Sequence, residues 1–215
     1  MFTALDFDHW PRREIFTCFR RTAIYLTVQV DVTGLWRRCK RGGLRLYPAL
    51  IYGAARVVNG DPAFRYGFDQ QGRLGLWDRL TPYYTVPRRE GGEELFSIAA
   101  TEYVPDFSAF SDACLRDMEA AEGCGRLLYQ DPLPENGFGI SCVPGTSFSA
   151  FNFAGDVKED LSPFVLYGGV YEQDGRMLLP VGAEFAHAVN DGVHVSRFFQ
   201  ALEQELGALG EPWAE

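Results

Sequence analysis

Apolar positions recur along the chain with two different spacings. Residues 22–32, TAIYLTVQVDV, alternate apolar and polar and are rich in β-branched and aromatic side chains, which predicts a strand. Residues 46–62, LYPALIYGAARVVNGDP, repeat at helical spacing, with a proline near the start and Asn-Gly-Asp-Pro as a stop. That pattern predicts a helix. Short strands are predicted at AFRYGFD, RLGLWD, YYTVP and ELFSIAATEY, the first two separated by a QQG turn. PDFSAFSDACLRDMEAAEG, residues 105–123, predicts a helix opened by Pro-Asp and closed by Gly.

Beyond a proline-bearing loop, LYQDPLPENG, the segments FGISCVP, TSFSAFNFA, PFVLYGGVYEQ and RMLLPVGAEFAHAV all have strand character. A last helix is predicted from near Gly192 through VSRFFQALEQEL. Helices and hairpins intermixed in this way imply an α/β fold, a mixed β-sheet flanked by helices. At 215 residues the chain is expected to form one domain spanning 1–215.

Composition adds a bias toward sheet and toward an apolar cavity, because 17 Phe, 10 Tyr and 4 Trp are 14% of the chain. A formal net charge of −9 argues against a nucleic-acid partner, which needs a basic face, although basic runs occur in WPRRE and LWRRCKRGGLR. No stretch approaches the roughly 20 apolar residues of a membrane-spanning helix. Five cysteines without CxxC pairing, and a start without a secretory pattern, lead to the expectation of a reduced, cytoplasmic setting. Three scattered histidines, with no HExxH, make no metal site expected.

The chemistry concentrates in FAHAVNDGVHVSRFF. His187 stands at the end of a predicted strand, and Asp191 and Gly192 stand where the chain turns into the last helix. Histidine is the natural general base for a hydroxyl nucleophile, and Gly192 is expected to let the chain turn sharply. Asp191 equally suits a helix N-cap.

Other segments support the first possibility. WPRRE, LYPALIY, PAFR, LWD, YTV, FS, ISCVPG followed by F-x-x-F, and HAVNDGVHVSRF occur in this order from about Phe7 to Glu205. The series resembles the chloramphenicol acetyltransferase family, and the order and spacing together are specific. The resemblance implies a coenzyme A-dependent acyltransferase fold and transfer of an acetyl group from acetyl-CoA to a hydroxyl of chloramphenicol or a related small hydrophobic alcohol. Both substrates would sit together in a ternary complex, with no acyl-enzyme.

By the same resemblance His187 is the base, and Ser141 in GISCVP hydrogen-bonds the oxyanion. Asp191 is structural and pairs with Arg12. A buried pair of this kind costs roughly 3–5 kcal/mol to break. Tyr47 and Arg45 stand at coenzyme-binding positions. Phe19, Phe151 and Phe153 line the acceptor pocket. Cys142, beside Ser141 on a strand, is expected to face the other way and pack inward. Family members are trimers with active sites between subunits, so a homotrimer is implied.

The chain also departs from the family. Ala186 replaces a second histidine, and Leu166 a threonine that holds a water. Gly169 and Val170 replace a lysine and a tyrosine that contact the coenzyme, and Gly145 a tryptophan. In the pocket Phe19 replaces a tyrosine, Cys18 an aromatic or small residue, and Gly139 a bulky side chain. These changes keep two alternatives open: another acyl donor or an amine acceptor, or a binding scaffold that has lost activity. Dihydrolipoamide acyltransferase cores share HxxxDG, but no lipoyl domain or Ala/Pro linker is legible in these residues.

Overall fold

A computed structural model describes residues 1–90, 95–153 and 160–211. In chain order it comprises β1 (Phe2–Ala4), α1 (Arg13–Phe19), β2 (Ala23–Asp31), α2 (Thr33–Lys40), α3 (Leu46–Gly60), β3 (Tyr66–Phe68), β4 (Leu74–Trp77) and β5 (Thr81–Pro87). There follow β6 (Phe96–Ala100), α4 (Phe107–Glu122), β7 (Gly137–Cys142), β8 (Phe164–Tyr167), β9 (Tyr171–Gln173), β10 (Arg176–Ala186) and α5 (Gly192–Gly210). The principal sheet runs β2-β10-β8-β7-β5-β6, with β9 paired to β10. β7 is parallel to both neighbours, and the other pairs are antiparallel, so the sheet is mixed as the sequence predicted. A small sheet, β1-β4-β3, stands apart from it.

Strand alternation sends one set of side chains to the helices. Val181, Ala183 and Phe185 of β10, Val165 and Tyr167 of β8, and Phe138 and Ile140 of β7 join residues of α2, α3, α4 and α5 in one core. The intervening residues, Gly182, Glu184, Leu166, Gly139 and Ser141, face the other side. This second face carries the candidate chemistry.

The helices begin and end where side-chain chemistry dictates. Asp106 caps α4 by accepting from the Ala109 amide at 2.7 Å. α3 tolerates Pro48 in its first turn, where no intrahelical donor is lost, and stops before Asp61, whose extended backbone suits a residue preceding proline. Among the described residues, no helix is long and apolar enough to cross a membrane.

Several predicted elements differ. TSFSAFNFA is not a strand over its described residues: 146–153 form an irregular segment lying over the second face of the sheet. Its carbonyls are met by side chains of β2 instead of by a ladder, Phe148 from Gln29 at 3.0 Å and Phe153 from Tyr25 at 3.1 Å. PFVLYGGVYEQ divides into β8 and β9 because the chain leaves β10 after Gly168, whose N still donates to Pro180 O at 2.8 Å, while Gly169 N donates to Thr146 O at 2.7 Å. Of AFRYGFD only Tyr66–Phe68 is extended, Pro62–Phe64 being a 3-10 turn. β10 ends at Ala186, so HAV lies in a turn. β1, α1 and α2 had no clear signal in the pattern, since they are short and take their stability from packing. Glu94 and Ala154, at the limits of two predicted strands, lie outside the described residues.

Candidate active site

His187 is the first residue beyond β10. Its amide donates to Thr22 O at 2.8 Å, which extends the β2–β10 pairing by one bond and fixes where the side chain leaves the sheet. The chain then tightens, with the amides of Val189 and Asn190 both donating to Ala186 O, at 3.1 and 2.9 Å. This brings Asn190 O to 3.0 Å from His187 Nδ1. A carbonyl oxygen only accepts, so Nδ1 carries the hydrogen. Neutral His187 therefore holds its lone pair on Nε2, which makes no hydrogen bond to any described residue. The half-buried ring stacks on Phe19 of α1 at 4.1 Å between centroids, tilted by 32°.

Asn190 was not singled out in the sequence, yet it is 0% exposed and its Nδ2 donates to Ala63 O at 2.8 Å. It anchors the turn whose carbonyl orients the imidazole. Its one clue in the sequence was its position inside HAVNDG.

Asp191 fills both roles that the sequence left open. As N-cap of α5 it accepts from the Val193 amide at 3.2 Å, and it pairs with Arg12 Nη1 at 3.2 Å. His194 Nδ1 lies 2.8 Å from its other contact oxygen, Oδ1. Burial raises the Asp191 carboxyl, but hydrogen bonds from Arg12 and His194 and the His194 charge outweigh it and hold the group below the usual carboxylate range. The pair is not fully buried: the Arg12 and Asp191 side chains are 19% and 37% exposed. The expected penalty of a buried pair therefore falls to about 1 kcal/mol or less for the Coulombic part.

Gly192 does not serve the sharp turn expected of it. It is the first residue of α5, and a Cβ there would meet nothing within 4 Å.

Ser141 lies in a different part of the sheet. On β7 it sits opposite Leu166 of β8, and its Oγ is 3.2 Å from Oγ1 of Thr85 on β5. Cys142 faces the main core, as alternation required, and burial pushes its thiol up. Tyr47 packs edge-on against Tyr84, and its hydroxyl donates to Thr85 O at 3.4 Å. Burial, followed by the Cys142 charge, pushes its phenol far up, so Tyr47 supports the strand beside Ser141. Arg45, just before α3, is exposed.

Within one chain His187 and Ser141 do not meet. Ser141 is in register with Leu166, and Leu166 with Gly182 of β10, five residues before His187. Two strand spacings of about 4.8 Å and five residues of about 3.4 Å separate them by roughly 20 Å. The described residues thus keep the two candidate groups apart within one chain.

The aromatic wall belongs with Ser141. Phe151 lies over Gly182, where a Cβ would come within 3.1 Å of it, and its ring is 4.9 Å from that of Phe153. Phe153 in turn stands edge-on to Phe164 at 5.1 Å. Gly139 leaves no added volume, because the Phe164 ring fills its place: a Cβ would be 2.6 Å from Phe164 Cδ2. At Gly169 a Cβ would lie 2.8 Å from Thr146 N, so any side chain there presses on backbone.

Residues 1–203 match the family model described as chloramphenicol acetyltransferase. A chloramphenicol acetyltransferase of Staphylococcus aureus is 35% identical over 215 residues, covering 99% of this chain and 98% of the relative. One of Clostridium perfringens is 36% identical over 218 residues, covering 99% and 97%. A solved chloramphenicol acetyltransferase superposes with a TM-score of 0.82 at 24% identity, covering 96% of this chain and 100% of the other. The dihydrolipoamide acetyltransferase of Azotobacter vinelandii shares the fold more distantly, with a TM-score of 0.63 at 17% identity and coverage of 88% and 83%. With the family match spanning nearly the whole sequence, the chain belongs to the chloramphenicol acetyltransferase family and is an acyltransferase.

Proposed function

We propose that the protein is an O-acetyltransferase that moves the acetyl group of acetyl-CoA to a hydroxyl of chloramphenicol or a related small hydrophobic alcohol. The observation that carries this is the bond between His187 Nδ1 and the Asn190 carbonyl, which leaves Nε2 as a free, oriented base. Nε2 takes the acceptor's hydroxyl proton while that oxygen attacks the thioester carbonyl. The Ser141 hydroxyl donates to the oxygen that becomes negative, a contribution typically worth roughly 10²–10³ in rate. The imidazolium returns its proton to the departing thiolate, and His187 ends neutral. Thr85, 3.2 Å from Ser141, helps orient that hydroxyl.

Tyr47 and Arg45 remain the coenzyme-side candidates, the exposed Arg45 for phosphate and Tyr47 through the strand it braces. Phe19, Phe151 and Phe153 are the candidates for the acceptor's apolar surroundings, Phe153 being 52% exposed and free to meet a ligand. The unit is taken to be a single domain working in the cytoplasm, a setting that five free cysteines support.

The proposed assembly is a homotrimer with active sites between subunits. It is supported by the roughly 20 Å gap between His187 and Ser141, which a neighbouring chain would close. A further support is β2, which forms an edge of the sheet. Beside it an apolar groove of about 460 Å³ runs between Leu26 and Val28 of β2 and Val195 and Phe199 of α5, with Gly192 at its wall.

Release of coenzyme A thiol, followed with acetyl-CoA and chloramphenicol beside a panel of hydrophobic alcohols and amines, tests the proposal. His187→Ala is expected to abolish release with an unchanged circular dichroism spectrum. Undiminished release by that variant would reject the base, and exclusive turnover of amines would reject the hydroxyl acceptor.

A further inference from the structure

We propose that Tyr25 and Gln29 are specificity-determining positioning residues, a two-point clasp that fixes the aromatic segment 146–153 and so sets the room left for the acyl acceptor. This rests on taking Ser141, Phe151 and Phe153 as the acceptor side of the proposed acetyltransferase site.

Over its described residues the segment 146–153 joins no ladder, so side chains decide where it lies on the sheet. Gln29 Nε2 donates to Phe148 O at 3.0 Å, and the Tyr25 hydroxyl donates to Phe153 O at 3.1 Å. The Gln29 amide is itself oriented, because its Oε1 accepts from the Tyr171 hydroxyl at 3.1 Å. Gly169 N, donating to Thr146 O at 2.7 Å, ties the start of the segment to the connection between β8 and β9.

The clasp stands across the row that holds the candidate oxyanion donor. Thr27, midway between Tyr25 and Gln29 on β2, is in register with Gly182 of β10. Gly182 is in register with Leu166 of β8, and Leu166 with Ser141 of β7. Alternation sends Tyr25, Thr27 and Gln29 to the same face as Gly182 and Ser141, one hold on either side of the row.

Between the two anchored carbonyls is a ring seated over a glycine. Phe151 lies against Gly182, where a Cβ would come within 3.2 Å of its ring. That ring is 6.2 Å from Phe148 and 4.9 Å from Phe153, so the three phenyls move as one wall. Gly182 and Ser141 are two strand spacings apart, roughly 10 Å, with Leu166 between them. The seat of Phe151 therefore decides how much of that interval an acceptor can fill. Loss of either hydrogen bond frees one end of the segment, lets the ring lift from Gly182 and admits a bulkier alcohol.

Two acceptors that differ by one ring test this, 2-phenylethanol and 2-(biphenyl-4-yl)ethanol. Thiol release from acetyl-CoA gives kcat/KM for each with the intact protein, Tyr25→Phe and Gln29→Leu, with circular dichroism to verify folding. Gln29→Glu, which keeps the size and loses the donor, stands in should Gln29→Leu misfold. The biphenyl-to-phenyl ratio is expected to rise about fivefold in each variant, as for loss of one ordinary hydrogen bond. The change should lie in the acceptor KM, with the KM for acetyl-CoA unmoved. Anything less than a rise in both variants overturns the clasp, including an equal fall for both acceptors, which a merely structural role would give. Should the intact protein release no thiol with either alcohol or with chloramphenicol, the acetyltransferase proposal fails instead. Chymotrypsin then decides the clasp alone. Cutting after Phe148, Phe151 or Phe153 is expected to quicken about fivefold in both variants, and unchanged cutting overturns it.

Discussion

His187 owes its tautomer to one backbone carbonyl and its ring plane to one phenyl. Asn190 and Phe19 supply these, and Asp191 holds the turn between Asn190 and α5. Replacing Asp191 by Ala removes the cap and the Arg12 contact together, and is expected to lower stability by roughly 1–2 kcal/mol in urea unfolding. Because the folded carboxyl lies below its usual range, its stabilising contribution is present above about pH 4 and is lost as pH falls through the folded value. Asp191→Asn is therefore expected to flatten the acid side of the stability profile, and an acid limb as steep as that of the intact protein would contradict this. At this scale the letters His187 and Asp191 were legible, because the proposed chemistry calls for those residue types. Asn190 was not, because its importance lies in burial and in its bond to Ala63 O.

Periodicity recovered the long elements, α3, α4, α5, β2 and β10, whose length carries several repeats of the pattern. It failed at 146–153, where aromatic side chains suggested a strand and the carbonyls instead find side-chain donors from β2. It also failed at Gly168–Gly169, where close backbone approach divides one predicted strand into two. The glycine pair has a functional corollary. Gly169→Lys is not expected to create a coenzyme contact, because its Cβ would push against Thr146 N at 2.8 Å and Gly145 C at 2.9 Å. Overpacking of this kind is expected to cost roughly 1–3 kcal/mol. The thermal midpoint should drop while the KM for acetyl-CoA does not improve. An improved KM at an unchanged midpoint would mean that the 145–146 turn yields without cost.

The whole molecule sets the distance between His187 and Ser141. With His187 and Ser141 roughly 20 Å apart in one chain, catalysis by the proposed pair needs two chains. His187→Ala and Ser141→Ala subunits, each nearly inactive alone, are expected to regain part of the activity when unfolded and refolded together. Interfaces in which the Ser141→Ala chain supplies the histidine and the His187→Ala chain supplies the serine would then be complete. No recovery from mixed assemblies of verified composition would place both groups' work within one chain and refute the shared site.

The amino-acid sequence alone determined the α/β class, the principal helices and strands, and the family, because those follow from periodicity, capping chemistry and ordered motifs along the chain. Tertiary structure alone decided which nitrogen of His187 is free and how far it stands from Ser141. Those are matters of register and burial between segments distant in sequence, and local spacing carries no record of them.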